Sequence, residues 1–188
     1  MAAFTIVPRH VLGKGHVAPS DKLRIAGIGA GGKGESDLAE FAMSPNVEIV
    51  AMADVDDRAA AKSRIAYPNA KYYHDFREML EKEKNNIDAC SISTPDNTHA
   101  VATIAAMQLG KHVYTQKPLT HDIYEARILT EAAKKYKVVT QMGNQGSSGD
   151  GVRKMVEWYE AGLIGEATKV WSWTNRPVWP QGIPWPST

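Results

Sequence analysis

The stretch Gly27-Ile28-Gly29-Ala30-Gly31-Gly32 sets glycines at its first, third and sixth positions, directly after an apolar run. A turn without Cβ atoms lets backbone N–H groups close on an anion, and a helix starting there aims its unpaired N–H groups at the same point. This is the spacing of a dinucleotide-binding turn. Gly27 permits the tight turn, Gly29 the approach of a pyrophosphate past Ala30 and Gly31, and Gly32 close packing of helix on strand. The same residues almost spell the phosphate loop of a nucleoside triphosphatase. Gly34, however, stands where a hydroxyl must hold Mg²⁺, which argues against that chemistry. Asp54 ends the next apolar run, 22 positions after Gly32. A carboxylate there would accept hydrogen bonds from both adenosine-ribose hydroxyls and repel a 2′-phosphate, so NAD is expected ahead of NADP. Arg58 leaves NADP open, because a nearby guanidinium can carry a phosphate. Asp56 and Asp57 are rival acids and read as solvated loop residues, and a solvated strand end is the plain alternative for Asp54. Lys117 sits between an apolar strand and Pro118, which restricts the residue before it. Beside a cationic nicotinamide ring its pKa should fall, suiting proton exchange with a substrate hydroxyl; the alternative is a lysine pointing to water.

The elements that position these residues alternate. Apolar runs predict strands at Leu23–Ile28, Val47–Asp54, Lys71–Tyr73, Ile87–Ser93, His112–Gln116 and Val138–Met142. Between them, helical spacing predicts helices over 33–43, Asp57–Ala66, Phe76–Lys82 with Asp75 as N-cap, Asn97–Leu109 stopped by Gly110, and Asp122–Tyr136. Such alternation means βαβ units and a doubly wound, mostly parallel sheet of the Rossmann class. Ligands of such sheets lie beyond the carboxyl ends of the strands. Those ends carry the glycines, Asp54, the segment Ser93–His99, Gln116-Lys117-Pro118 and Gly143-Asn144-Gln145.

The composition shifts after Gly143: all five tryptophans lie at or beyond Trp158, and four of the ten prolines fall in the last twelve residues. A helix is expected at Asp150–Ala161 and a strand at Ala167–Asn175, with Lys169, Trp171, Trp173 and Asn175 on one face. The domain reading is a leader or arm at 1–20, a dinucleotide-binding domain at 21–145, and at 146–188 the start of a second domain. An unfinished sheet rich in tryptophan should seek a partner, so a homo-oligomer joined through it is expected.

The charge balance, 22 basic against 21 acidic residues in 188, excludes a strong nucleic-acid field. No apolar run approaches the ~20 residues of a membrane span. A single cysteine, Cys90, excludes an internal disulfide, and the six histidines form no metal-binding pair. Cys90 reads as a small core residue, and His99 as a first-turn residue satisfying local backbone.

With these residues in place, the chain from Lys22 to Thr188 resembles the Gfo/Idh/MocA oxidoreductases. The resemblance is carried by IAGIGAGGKG, the acid of AMADVD, Thr94-Pro95-x-x-x-His99, GKHVYTQKPLT and the segment beginning QMGNQG. It implies a Rossmann domain followed by an α/β domain with an open, mainly antiparallel sheet, a tightly held NAD(P), and a sugar or polyol substrate. It implies that Thr94, Pro95, Asn97 and His99 line the cofactor groove, and that Gln145 lies near the nicotinamide. The family signature is Glu-Lys-Pro, whose lysine contacts cofactor and substrate; here Gln116 replaces the acid beside Lys117. Asn144, Asn175, Arg176 and Trp179 are candidates for the substrate. Further catalytic groups of the family come from beyond the residues present here. AAFTIVPRHVLG resembles the residues just after a twin-arginine export signal, with a cytoplasmic location as the alternative. Two rival functions share these residues: glycoside cleavage through transient NAD redox chemistry, and a non-catalytic nucleotide-binding module.

Overall fold

The computed structural model describes residues 21–173. The arm at 1–20 and the candidates Asn175, Arg176 and Trp179 lie outside the described residues. The chain divides into two compact units, 1–144 and 145–188.

In the first unit six strands alternate with five helices: β1 (Leu23–Ile28), α1 (Lys33–Ala42), β2 (Val47–Ala53), α2 (Asp57–Ala66), β3 (Lys71–Tyr73), α3 (Phe76–Glu83), β4 (Ala89–Ile92), α4 (His99–Gln108), β5 (His112–Gln116), α5 (Ile123–Tyr136) and β6 (Thr140–Gly143). All strand pairs are parallel, in the order β3-β2-β1-β4-β5-β6. The order reverses between β1 and β4, and their carboxyl ends open the crevice at which such sheets bind ligands.

Both faces of the sheet are buried, which is why its strands read as continuous apolar runs. One face packs Ile25, Ile49 and Met52 against Leu38 of α1 and Ala60 of α2. The other packs Ile28, Cys90, Ile92 and Val113 against α3, α4 and α5. Burial pushes the Cys90 thiol up to about 12, so it is an inert core group.

Three helices start on aspartate caps: Asp75, as the sequence predicts, and also Asp122 and Asp56, the latter read from the sequence as a solvated loop residue. Asp56, Asp75 and Asp122 accept N–H bonds from Arg58, Arg77 and Glu125. Gly110, at φ 72°, closes the end of α4 in a left-handed conformation.

Several boundaries differ from the sequence pattern. The strand expected at Val138–Met142 is Thr140–Gly143, because α5 ends with Lys137 in the left-handed region and two further residues complete the return to the sheet. The strand expected at Ile87–Ser93 is confined to Ala89–Ile92, the residues in register with β1 and β5. The helix expected at Asn97–Leu109 begins as a 3-10 turn, Asp96–Thr98, and becomes α-helical at His99.

In the second unit a 3-10 turn (Gln145–Ser148) precedes α6 (Asp150–Glu160), whose Val152, Met155, Val156 and Tyr159 form an exposed apolar stripe. The strand expected from Ala167 is absent among the described residues 167–173, and Trp171 and Trp173 are exposed. A strand holds only when a neighbour takes its backbone hydrogen bonds, and no strand pair among the described residues includes this segment. No helix of the described residues is long and apolar enough to cross a membrane.

One buried charge secures the edge of the first unit. Glu83 accepts hydrogen bonds from Lys71 Nζ and Tyr73 OH, each at 2.7 Å, and from Asn86. The Lys71 ammonium holds its carboxyl below the ordinary 4.5, so pairing outweighs the opposing effect of burial. A lowered native pKa stabilises the fold above the unfolded value and loses that contribution as pH falls through the native value. Glu83→Gln should therefore cost about 1–3 kcal/mol near neutrality. Urea unfolding should show the gap to wild type closing as pH is taken down to about 3.

Candidate active site

The glycine turn is built by contacts that exclude side chains, and they place its motif two residues later than the spacing from Gly27 suggests. Gly27 lies inside β1, where an added Cβ would meet only the flexible end of Leu38 at 3.0 Å. The turn begins at Gly29, whose φ of 82° disfavours other residues and whose Cβ would lie 2.6 Å from the Ser93 carbonyl oxygen. A Cβ on Gly31 would fall 2.7 Å from that of Ala59, and one on Gly34 only 1.8 Å from the Gly29 carbonyl oxygen. Gly32, assigned the packing role, faces open space and precedes α1. The functional spacing is Gly29-x-Gly31-x-x-Gly34, and Asp54 lies 20 positions beyond Gly34. The overlap of two identical spacings in one glycine-rich run concealed Gly34.

Asp54 closes the turn from the other side. Its Oδ2 accepts the N–H groups of Ala30 (2.8 Å) and Gly31 (3.0 Å), and its Oδ1 accepts that of Asp56 (3.0 Å). The Tyr72 hydroxyl donates to the Asp54 carbonyl at 2.9 Å, which fixes the backbone beneath. A carboxylate offers about four acceptor positions. Three are filled, which leaves one position open on Oδ1. Arg58 turns back on Asp56, Nε to Oδ1 at 3.1 Å and Nη2 to Oδ2 at 3.0 Å. That guanidinium holds the Asp56 carboxyl down at about 2.

Gly29, Gly31, Asp54, Thr94 and Pro95 line one crevice of about 510 Å³. Thr94 Oγ1 is buried in its wall without a hydrogen-bond partner. No side chain caps α1, and within its first turn the Gly34 N–H is taken by the Gly31 carbonyl oxygen at 2.9 Å. A Cβ-intolerant turn, an acid at one end and an unsatisfied hydroxyl along the wall fit a dinucleotide. Asn97 lies in the exposed 3-10 turn and is absent from the crevice lining.

His99 is 1% exposed and stands behind the crevice rather than in it. Its Nε2 faces the Thr94 carbonyl oxygen at 2.8 Å and its Nδ1 that of Pro118 at 2.6 Å. A purely local backbone role for His99 is thus too narrow, because the ring joins two loops. Lys117 is exposed, with no hydrogen bond or ion pair among the described residues. Gln116 is buried, its Nε2 donating to Asp37 Oδ2 at 2.7 Å. Asp37 escaped the sequence reading; its signal was a carboxylate next to Leu38 in the apolar stripe of α1. Asn144 is exposed just past β6, and Gln145 belongs to the second unit. Among the described residues no cluster of His, Cys, Asp and Glu could hold a metal.

Residues 23–144 match the oxidoreductase family with an NAD-binding Rossmann fold. The chain belongs to the Gfo/Idh/MocA family. An inositol 2-dehydrogenase/D-chiro-inositol 3-dehydrogenase from Lacticaseibacillus casei is 31% identical over 146 residues, covering 77% of this chain and 41% of that protein. A glycosyl hydrolase family 109 protein from a Shewanella species is 29% identical over 177 residues, covering 87% of this chain and 38% of that protein. Among solved structures, myo-inositol 2-dehydrogenase from Lactobacillus plantarum superposes with a TM-score of 0.69 at 28% identity, covering 77% of this chain and 43% of that one. The chain spans less than half the length of these relatives. NAD is the cofactor of this Gfo/Idh/MocA fold.

The shifted motif has a direct test. Gly34→Ala should lower stability by about 3 kcal/mol, because backbone must move, whereas Gly27→Ala should cost about 1 kcal/mol or less, because Leu38 can give. Urea unfolding of the two variants measures the difference.

Proposed function

We propose that the protein is an NAD-dependent oxidoreductase acting on a polyol or sugar. The observation that carries this reading is the Asp54 carboxylate locked onto the N–H groups of Ala30 and Gly31 at the mouth of the β1/β4 crevice. When bound, the nicotinamide supplies a hydride acceptor. Asp54 holds an adenosine-ribose hydroxyl on Oδ1. Gly29, Gly31 and the uncapped start of α1 admit the pyrophosphate, and Thr94 Oγ1 gives or takes one hydrogen bond along the groove. The engagement of Arg58 by Asp56 supports NAD over NADP, since the guanidinium that would receive a 2′-phosphate is already bidentate to a carboxylate.

Lys117 holds the proton that leaves the substrate hydroxyl as its carbon gives up hydride. Its exposed Nζ, without a partner among the described residues, takes that proton as the neutral amine. Asn144, exposed just past the neighbouring strand β6, orients the substrate. The similarity to a glycosyl hydrolase family 109 protein supports a second reading, in which the same redox step is transient and the substrate loses a glycosidic group. Sugar release without net NADH separates the two.

Titration with NADH, read by its fluorescence, should show saturable binding. Asp54→Ala should weaken that binding at least tenfold, about 1.4 kcal/mol. With myo-inositol as the first probe in a panel of polyols and sugars, Lys117→Ala should cut turnover by about 10²-fold or more while NADH binding is kept. Absence of NADH binding to the wild type would overturn the proposal.

A further inference from the structure

We infer that Asp37 is the positioning residue for Lys117, acting through Gln116; the inference rests on the role given to Lys117 above. Asp37 is 3% exposed, and both of its carboxylate oxygens are engaged. Lys33 Nζ lies 2.6 Å from Oδ1, while Ser93 Oγ and Gln116 Nε2 each donate to Oδ2 at 2.7 Å. A buried carboxylate persists only where such charge-assisted bonds offset its lost hydration. The three partners come from the first turn of α1, the end of β4 and the end of β5. One carboxylate therefore ties the helix that starts at the glycine turn to the residue immediately before Lys117.

The amide of Gln116 has little freedom to turn elsewhere. Gly143, at the end of β6, packs so closely that a Cβ there would lie 2.8 Å from Gln116 Nε2. The other neighbour of Lys117 is tied as well, since the Pro118 carbonyl oxygen faces the buried ring of His99 at 2.6 Å. Lys117 thus stands between two residues anchored to buried side chains, Asp37 on one face of the sheet and His99 on the other. Its own side chain projects without a partner among the described residues. The base of the lysine is fixed and, among the described residues, its Nζ is free for a ligand, which is the arrangement that an orientation-dependent proton exchange requires. The same Ser93 that donates to Asp37 presents its carbonyl to Gly29, so Asp37 also ties the nucleotide turn to the Lys117 loop.

The test is NMR of the full chain after reductive ¹³C-methylation of its lysines, with the Lys117 resonance assigned by Lys117→Arg. Two variants cut the link from either end: Asp37→Ala, and Gln116→Leu, which keeps volume and leaves Asp37 with Lys33 and Ser93. In each, the Lys117 resonance should shift or broaden while those of Lys71 and Lys82 stay in place. The double variant should displace it no further than either single one, because the two residues act as one link. If Asp37→Ala does not fold, Gln116→Leu decides alone. A Lys117 resonance unmoved in folded Gln116→Leu would overturn the inference, and so would a uniform movement of all lysines. Full turnover in Lys117→Ala would remove the catalytic reading of Lys117 and leave the positioning result standing.

Discussion

The Asp54 carboxylate ties the turn after β1 to the loop after β2. It takes two N–H groups from the turn after β1 and one from its own loop after β2. Hydrogen bonds to a charged group contribute about 1.5–3 kcal/mol each, so this small lattice outweighs any single ion pair on the surface. Its consequence is geometric. With Ala30 and Gly31 held back by Asp54, the mouth of the crevice stays open between the turn and the Thr94-Pro95 segment.

The glycines serve the same constraint. Gly34 lies under the Gly29 carbonyl and Gly31 against Ala59, so α1 and α2 approach the turn more closely than any side chain allows. Leu38 then seals the turn from below, packed on Gly27. Cofactor geometry and core packing are therefore one requirement, and a residue change that loosens either loosens both. Beyond the turn, Asp37 and His99 carry the order inward to the loop bearing Lys117.

The sheet was legible from the sequence because a parallel sheet buried on both faces writes each strand as an unbroken apolar run. Five of the helices were legible from helical spacing, and Asp75 and Gly110 mark one start and one end. Asp54 stood out by spacing alone. The glycine register did not, since Gly27, Gly29 and Gly32 repeat the spacing of Gly29, Gly31 and Gly34, and only the approach of Ser93 and Ala59 tells them apart. Asp37 was hidden for a different reason: a carboxylate on a helix reads as solvent-facing until its partners, one of them 79 positions away, are brought to it. Residues 167–173 alternate like a strand, yet pairing decides strand formation, and pairing is not written locally.

A crystal structure grown with saturating NAD⁺ would probe the role of Asp54 without an intermediate step. The adenosine ribose should lie within hydrogen-bond distance of Asp54 Oδ1, with the pyrophosphate over Gly29 and Gly31 at the start of α1. An empty β1/β4 crevice, or a dinucleotide bound with Asp54 directed away from its ribose, would refute that role.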